Sequence, residues 1–281
     1  MCGGAAMDDI VICMKKRSPQ KDFIAIAAGE YDIGIAPETA SSIDLPRDSI
    51  RPDYLLNSAP RHRRALQARM ISRFLVSRAD FALFVSETGY VTDAEKEGWG
   101  WTAENGMWTK KQGVSWRAPF ADEGDDICRE CADRLPVFQA SWNDAAAFCG
   151  WVSGKTGKNI GLPGEAEWEV FAAAAGVQGV GEARESERLI SYISSADYCA
   201  AVDNRIDGDG HLAPGVLWEW CADWFDAYPA GAPNREFGTV YKVLRGGSLQ
   251  SHPLQRGREY RFRRCPTARS PYYGFRIAVD A

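Results

Sequence analysis

No run of about 18 apolar residues occurs in this chain, so no segment of it reads as a membrane-spanning helix. Histidine is scarce as well, limited to His62, His211 and His252. Cys128-Arg-Glu-Cys131 has C-x-x-C spacing, yet no second pair and no suitably placed His completes a zinc site, and no βαβ pattern surrounds it as in a thioredoxin. A local disulfide and plain thiols are the readings that remain. The 8 cysteines are too few per residue for a disulfide scaffold and more than a cytosolic protein of this size usually carries, which leaves the compartment open. Acid is what the C-terminal segment lacks. From Lys242 to Arg276 the basic side chains are Lys242, Arg245, Arg256, Arg258, Arg261, Arg263, Arg264, Arg269 and Arg276, against the single acid Glu259. That segment carries about +8 in a chain that is formally −5 overall, so the remainder carries about −13 and the guanidinium groups require a partner, internal or external. The mild overall acidity argues against nucleic acid as that partner, since a basic surface would be expected.

What is present is a globular composition, 45% hydrophobic and 25% charged, on 281 residues, enough for one large or two ordinary domains with a substantial core. Residues 1–20 read as a flexible start. Met1-Cys2-Gly3-Gly4 lacks the apolar core of a signal peptide. A Cys behind the initiator Met and ahead of small residues is what a bacterial lipoprotein shows once its signal is trimmed; a flexible start with an incidental Cys fits as well. A lipid on Cys2 would attach the chain to a membrane and put it at the bacterial cell surface or in the periplasm.

Along the chain, Asp22 to Gly34 alternates, breaks at Ala28-Gly29 and resumes, which predicts a β-hairpin. Glu38 to Ser58 has no period, and Pro46 and Pro52 predict loop. Ser77-Arg-Ala-Asp80 is a capping signature for a helix that stops at Gly89. Thr92 to Leu135, rich in Trp, Gly and charge, reads as a long irregular stretch. A second capping signature, Ser141-Trp-Asn-Asp144, opens an amphipathic helix ended near Gly154, and Glu165 to Ala175 forms a third helix ahead of Gly176. Asp203 to Gly210 alternates carboxylates with Gly but lacks the distal Glu of an EF-hand, so a solvated acidic turn is expected. Val216 to Phe225 reads as a buried aromatic strand whose acids, Glu219 and Asp223, pair with arginines of the C-terminal segment, Arg245, Arg261 and Arg276. Tyr272 to Val279 is a closing strand with Phe275, Ile277 and Val279 on one face.

Seven stretches together resemble the formylglycine-generating enzyme / sulfatase-modifying-factor family: Asp22 to Glu30, Glu87 to Glu95, Pro136 to Trp151, Gly161 to Glu169, Trp218 to Trp224, Leu244-Arg-Gly-Gly-Ser248 and Gly274-Phe-Arg276. The resemblance spans nearly the whole chain in the family's order. It implies one α+β domain over 21–281, of C-type-lectin-like fold, with short antiparallel sheets, a few amphipathic helices and much irregular structure. Function is decided by the site and not by the fold. Members that make formylglycine bind copper through two cysteines after Gly-Gly-Ser, at positions that fall here on Ser251 and Arg256, and neither supplies the soft thiolate that Cu(I) prefers. The three scattered histidines do not match the three-His site of the iron-dependent relatives. Gly215-Val216-Leu217 stands where the family usually has Gly-Asn-Val, which puts its calcium site in doubt without removing it.

The sequence also resembles the variable proteins of diversity-generating retroelements, ligand-binding receptors on the same fold. That branch implies a non-enzymatic chain whose segment 242–276 presents a protein or other macromolecule with Ser251, His252, Pro253, Leu254, Gly257, Tyr260, Phe262, Arg264, Cys265, Tyr272 and Tyr273. No catalytic residue, metal ligand or cofactor is assigned. The alternative is a family oxidase or tailoring enzyme of non-standard chemistry, using Cys265 or the Cys128/Cys131 pair as reactive thiols.

Overall fold

The computed structural model describes residues 19–43, 52–104, 107–120, 133–182 and 195–281. Cys2, Cys13, Pro46, Cys128 and Cys131, and most of the N-terminal segment, lie outside the described residues. The chain enters through one helical turn, α1 (Pro19–Asp22), followed by β1 (Phe23–Ile26) and β2 (Gly29–Ile33). These two do not form the expected hairpin: β2 pairs antiparallel with β3 (His62–Leu66), and β1 with β4 (Arg69–Ser72). Side-chain chemistry explains the exchange. Ile24 lies opposite Ile71, while Asp32 lies opposite Arg63, whose guanidinium also reaches Glu30 at 3.1 Å, so apolar meets apolar and acid meets base.

The stretch between β2 and β3, expected to be loop, holds two short helices, α2 (Pro37–Ser42) and α3 (Pro52–Leu56). Each begins on a proline, where the missing N–H removes no helical hydrogen bond and the fixed φ is already helical. Helix α4 (Arg78–Thr88) starts where its signature predicted: the Ser77 hydroxyl accepts the Asp80 N–H, and Gly89 ends the helix at φ +65°. The region from Thr92 onward is more ordered than its composition suggested. Helix α5 (Asp93–Glu97) is capped by Thr92 and Glu95, and β5 (Trp99–Glu104) pairs with β6 (Met107–Gln112). Lys110 Nζ sits 4.0 Å from the Trp99 ring centroid, a cross-strand contact that no helical or strand period reveals.

Helix α6 (Trp142–Thr156) passes through Gly154, the expected stop, and ends at Gly157 with φ +66°. A helical Gly costs only about 1 kcal/mol relative to Ala, so it weakens a helix without terminating it. After β7 (Ile160–Gly161) come α7 (Glu165–Ala174), α8 (Ser195–Asp203), β8 (Trp218–Trp224) and β9 (Lys242–Arg245). The C-terminal part adds α9 (Pro253–Arg256), β10 (Phe262–Arg264), β11 (Tyr273–Gly274) and β12 (Ala278–Asp280).

Two four-stranded sheets organise the molecule, in the orders β1-β4-β12-β7 and β10-β9-β8-β11. Their pairings are antiparallel except β8–β11, which is parallel. The predicted closing strand is thereby split. Tyr273 pairs with Trp218 in one sheet and Val279 with Met70 in the other, and between them the carbonyls of Phe275 and Ile277 accept the N–H groups of Val76 and Ser72. Phe275, Ile277 and Val279 are all buried. The core lies under this crossing, where Phe81, Phe84, Phe148 and Phe275 are in ring contact.

Candidate functional site

The cations of the C-terminal segment find most of their partners inside the protein. Arg245 and Arg261 were expected against Glu219 and Asp223; they go instead to α7. Arg261 Nη2 donates to Glu165 Oε2 at 2.8 Å, Arg245 Nε lies 3.3 Å from Glu165 Oε1, and Arg245 Nη2 donates to Glu169. Glu165 and Glu169 are i,i+4 on one helix face, which packs against β8 and places both carboxylates within reach of β9. Glu165 and Glu169 at that spacing, on the same face as the buried Ala172 of a helix whose remaining acid is Glu167, were the available signal. Asp223 serves the start of α7 instead, where its Oδ2 accepts the Glu165 N–H at 2.6 Å, and it lies 3.7 Å from Arg64. Arg276 does reach Glu219, as expected.

The other cations are held by rings and carbonyls as well as carboxylates. Lys242 Nζ sits between the rings of Trp142 and Trp224, at 4.0 and 3.9 Å from their centroids, and donates to the Ala222 carbonyl. Burial holds its amine below the ordinary lysine value. Arg263 pairs with Glu236, Arg269 with Glu97 and the Trp99 carbonyl, and Arg258 with Glu259. Arg264 is exposed and its guanidinium lies 4.2 Å from the Phe262 ring centroid. Arg256 lines a cleft.

That cleft, about 760 Å³, is the candidate site. Three separate pieces of chain form it: residues 175–179 after α7, residues 213–216 ahead of β8, and the turn from Leu249 to Gly257 that contains α9. Arg205 lines it too. The turn is set by Gly246 and Gly247 at φ +91° and +68°; a Cβ on Gly246 would come within 2.9 Å of the Trp168 ring. A contiguous sequence motif could not reveal a hollow assembled from segments so far apart, and residues 175–179, 213–216 and Arg205 were not anticipated.

The residues expected to face a ligand fall into three groups. Pro253 and Gly257 line the cleft. His252 and Phe262 are half-buried, while Arg264 and Cys265 are exposed. The rest are inside: the Tyr260 side chain packs on Trp218, Tyr272 on Tyr198 and Tyr273 on Trp220, and Leu254 belongs to the same core. Ser251 is buried and its hydroxyl accepts the Ser248 N–H at 2.9 Å. Large aromatics in a segment with short strands fill the space beneath it, so a surface read from residue type alone came out too wide.

At the positions where the resemblance puts copper ligands, the structure has a Ser hydroxyl engaged within its own turn and an Arg whose stem lies against Gly247. Neither is a soft donor, and the pair does not fit a copper ion. Asp207 accepts the backbone N–H groups of Asp209 and His211, closing the acidic turn on itself. Among the described cysteines, Cys149, Cys199 and Cys221 are buried and Cys265 is exposed. Burial pushes the Cys149 thiol up to about 12 and the Cys221 thiol up as well.

An α+β domain closed by its own C-terminal strand, with a Gly-Gly turn presenting a cleft, defines a C-type-lectin-like protein of the type built around formylglycine-generating enzymes. A family profile described as "Sulfatase-modifying factor enzyme 1-like domain" matches residues 11–204 and 213–281, and the chain belongs to that family. The formylglycine-generating enzyme of Thermomonospora curvata is 31% identical over 94% of this chain and 96% of its own length. Two solved structures share the fold at lower identity. PvdO from Pseudomonas aeruginosa superposes with a TM-score of 0.58 at 21% identity, covering 92% of this chain and 94% of that one. Treponema denticola variable protein 1 does so with a TM-score of 0.55 at 18% identity, covering 92% and 95%.

Proposed function

We propose that this chain is a ligand-binding member of the family, with the cleft beneath the Gly246-Gly247 turn as its site and no cysteine-oxidising chemistry. The observation that carries the proposal is the replacement at that turn: Ser251 and Arg256 stand where copper-binding members have thiolates, and Arg256 lines a cleft of about 760 Å³. That volume lies within the roughly 300–1,000 Å³ typical of small-molecule pockets. A small ligand therefore fits the site better than the protein or other macromolecule expected from the sequence. Pro253, Gly257 and Arg256 line the cleft, and exposed Arg264 and Cys265 lie outside its lining. A receptor of the diversity-generating-retroelement type remains compatible with a ligand held by the 249–257 turn; the fold it shares with the Treponema denticola variable protein supports the scaffold, not the ligand.

The test has two arms. Saturable binding of an apolar fluorescent probe should be lost in Ala213→Trp, which fills the cleft from an exposed position. Incubation with copper and a sulfatase-type Cys peptide should leave the peptide unchanged. Peptide oxidation, or probe binding indifferent to Ala213→Trp, overturns the proposal.

A second reading, a family oxidase, is favoured by the 31% identity to an enzyme along nearly the whole chain. It requires a reactive thiol, and among the described residues Cys265, with Arg264 beside it, is the exposed one.

A further inference from the structure

Among the described residues, both ionisable side chains that line the cleft, Arg205 and Arg256, are cationic, and no carboxylate lines it. We propose that the cleft binds a small organic anion, a carboxylate or phosphate ester with an apolar body, whose charged head is held by Arg256 and Arg205. The proposal rests on the cleft being a ligand site and adds the chemistry of what enters it.

The stem of Arg256 is held in place at the cleft by close packing. It runs over two glycines of positive φ: a Cβ on Gly247 would come within 2.7 Å of Arg256 Cγ, and one on Gly215 within 3.8 Å of Cδ. The same turn is locked from behind, since a Cβ on Gly257 would meet Val180 Cγ1 at 2.6 Å. An arginine confined this way has less freedom left to lose when it grips a ligand, and its planar fork matches carboxylate and phosphate geometry. Val177, Pro214, Val216, Leu249 and Pro253 supply an apolar wall for the rest of the molecule.

One feature opposes an anion. Helix α7 points its C-terminus, the negative end of its dipole, at residues 175–179. Its terminal carbonyls are already engaged: Phe171, Ala172 and Ala173 accept the N–H groups of Ala175, Val177 and Gly176. With those carbonyls engaged, the guanidinium groups of Arg256 and Arg205 are the charged side chains that line the cleft among the described residues, and Arg205 Nη1 also donates to the Ala201 carbonyl at 2.8 Å. The strong cations elsewhere in the segment do not compete, because Arg245, Arg261 and Arg276 are buried against carboxylates of their own.

Two fluorescent probes of similar apolar body separate the alternatives: anilinonaphthalene sulfonate, which is anionic, and N-phenylnaphthylamine, which is neutral. Wild-type protein should bind both, the anion more tightly, and inorganic phosphate should displace the anion alone. Arg256→Gln should weaken the anionic probe about tenfold or more, the scale of a hydrogen bond to a charged group, and leave the neutral one unchanged. Arg256→Lys should recover part of the loss. Arg205→Gln, at an exposed position that a folded chain tolerates, should weaken the anionic probe in the same sense and carries the test if Arg256→Gln does not fold. Arg63→Gln, an exposed arginine on β3, is the control and should change nothing. If the anionic probe binds both cleft variants as it binds wild type, or if the two probes weaken together, the anion proposal is wrong while the cleft remains a ligand site. If neither probe binds wild type, the ligand-binding proposal itself fails.

Discussion

The guanidinium of Arg276 grips the carboxylate of Glu219 through two hydrogen bonds, Nε to Oε2 at 2.6 Å and Nη2 to Oε1 at 2.7 Å. Both residues are buried, Arg276 at 0% and Glu219 at 1% exposure. Arg276 also donates to the carbonyls of Ser72 and Leu212, and Trp168 Nε1 donates to the same glutamate at 2.7 Å, so one buried pair ties β4, β8, α7 and the C-terminal strand together. Removing one partner leaves a buried charge without compensation. Glu219→Gln should cost about 3–5 kcal/mol in urea unfolding, whereas the double replacement Arg276→Met with Glu219→Leu should recover much of that loss. A cost for Glu219→Gln within the range of a surface ion pair, about 1 kcal/mol, would mean the pair does not hold the sheets together.

Glu165 predicts the acid limit of stability. Burial alone would raise its carboxyl, but the guanidinium groups of Arg261 and Arg245 outweigh burial and hold it below its ordinary value. With a folded pKa below the unfolded one of about 4.3, the unfolded chain takes up protons first as acid is added. The stabilisation from Glu165 is therefore whole above the ordinary carboxylate range and is lost as pH falls through it. Glu169 runs the other way: burial outweighs Arg245 and its carboxyl sits above the ordinary value, so its contribution declines as pH rises through that range. Melting temperatures across the acid range should show a shallower acid limb in Glu165→Gln than in wild type. An identical limb would remove Glu165 as a source of acid sensitivity.

The helices with capping signatures were legible because the information is local: Ser77 with Asp80, and Ser141 with Asp144, lie within four residues of the backbone groups they satisfy. The sheets were not. Pairing of β1 with β4 and of β2 with β3 depends on residues such as Phe23 with Ser72 and Ile33 with His62, far apart in the chain, and alternation within Asp22 to Gly34 carries no record of them. The same limit applies to the site. That the arginines of the C-terminal segment needed acidic partners followed from charge alone, and of the set expected against Glu219 and Asp223 only Arg276 takes Glu219. Assigning Glu165 and Glu169 to Arg245 and Arg261 required knowing where α7 packs.

Gly247 is where the turn and the cleft meet. Its φ of +68° strains any L side chain, and a Cβ would also meet Gln255 O at 2.9 Å as well as the stem of Arg256. Gly89 has nearly the same φ, +65°, with nothing within 4 Å of a built Cβ. Comparing the two separates backbone strain from crowding. Gly89→Ala should cost about 1–2 kcal/mol, the left-handed penalty by itself. Gly247→Ala should cost clearly more in chemical denaturation and should weaken binding of the anionic probe by displacing Arg256. Equal costs, with binding intact, would show that the turn yields freely and does not position the arginine.

Cysteine reactivity discriminates between binding protein and oxidase. Burial pushes the thiols of Cys149 and Cys221 up, and Cys199 is buried beside Tyr198 in the same core as Cys149. The thiolate is the nucleophile, so these sites should resist iodoacetamide until the protein unfolds. Cys265 is exposed, two residues from Thr267, whose hydroxyl lies 3.8 Å from its sulfur. Peptide mapping after native-state alkylation should find Cys265 modified and Cys149, Cys199 and Cys221 unmodified. Modification of a buried thiol at the Cys265 rate would mean the core opens readily. The decisive arm joins alkylation to the peptide assay: if copper-dependent oxidation of a Cys peptide occurs and Cys265→Ser abolishes it, the exposed thiol is a reaction centre and the chain is an oxidase. If Cys265→Ser changes neither probe binding nor the absence of oxidation, Cys265 is a bystander at the edge of β10 and the oxidase reading loses its exposed thiol.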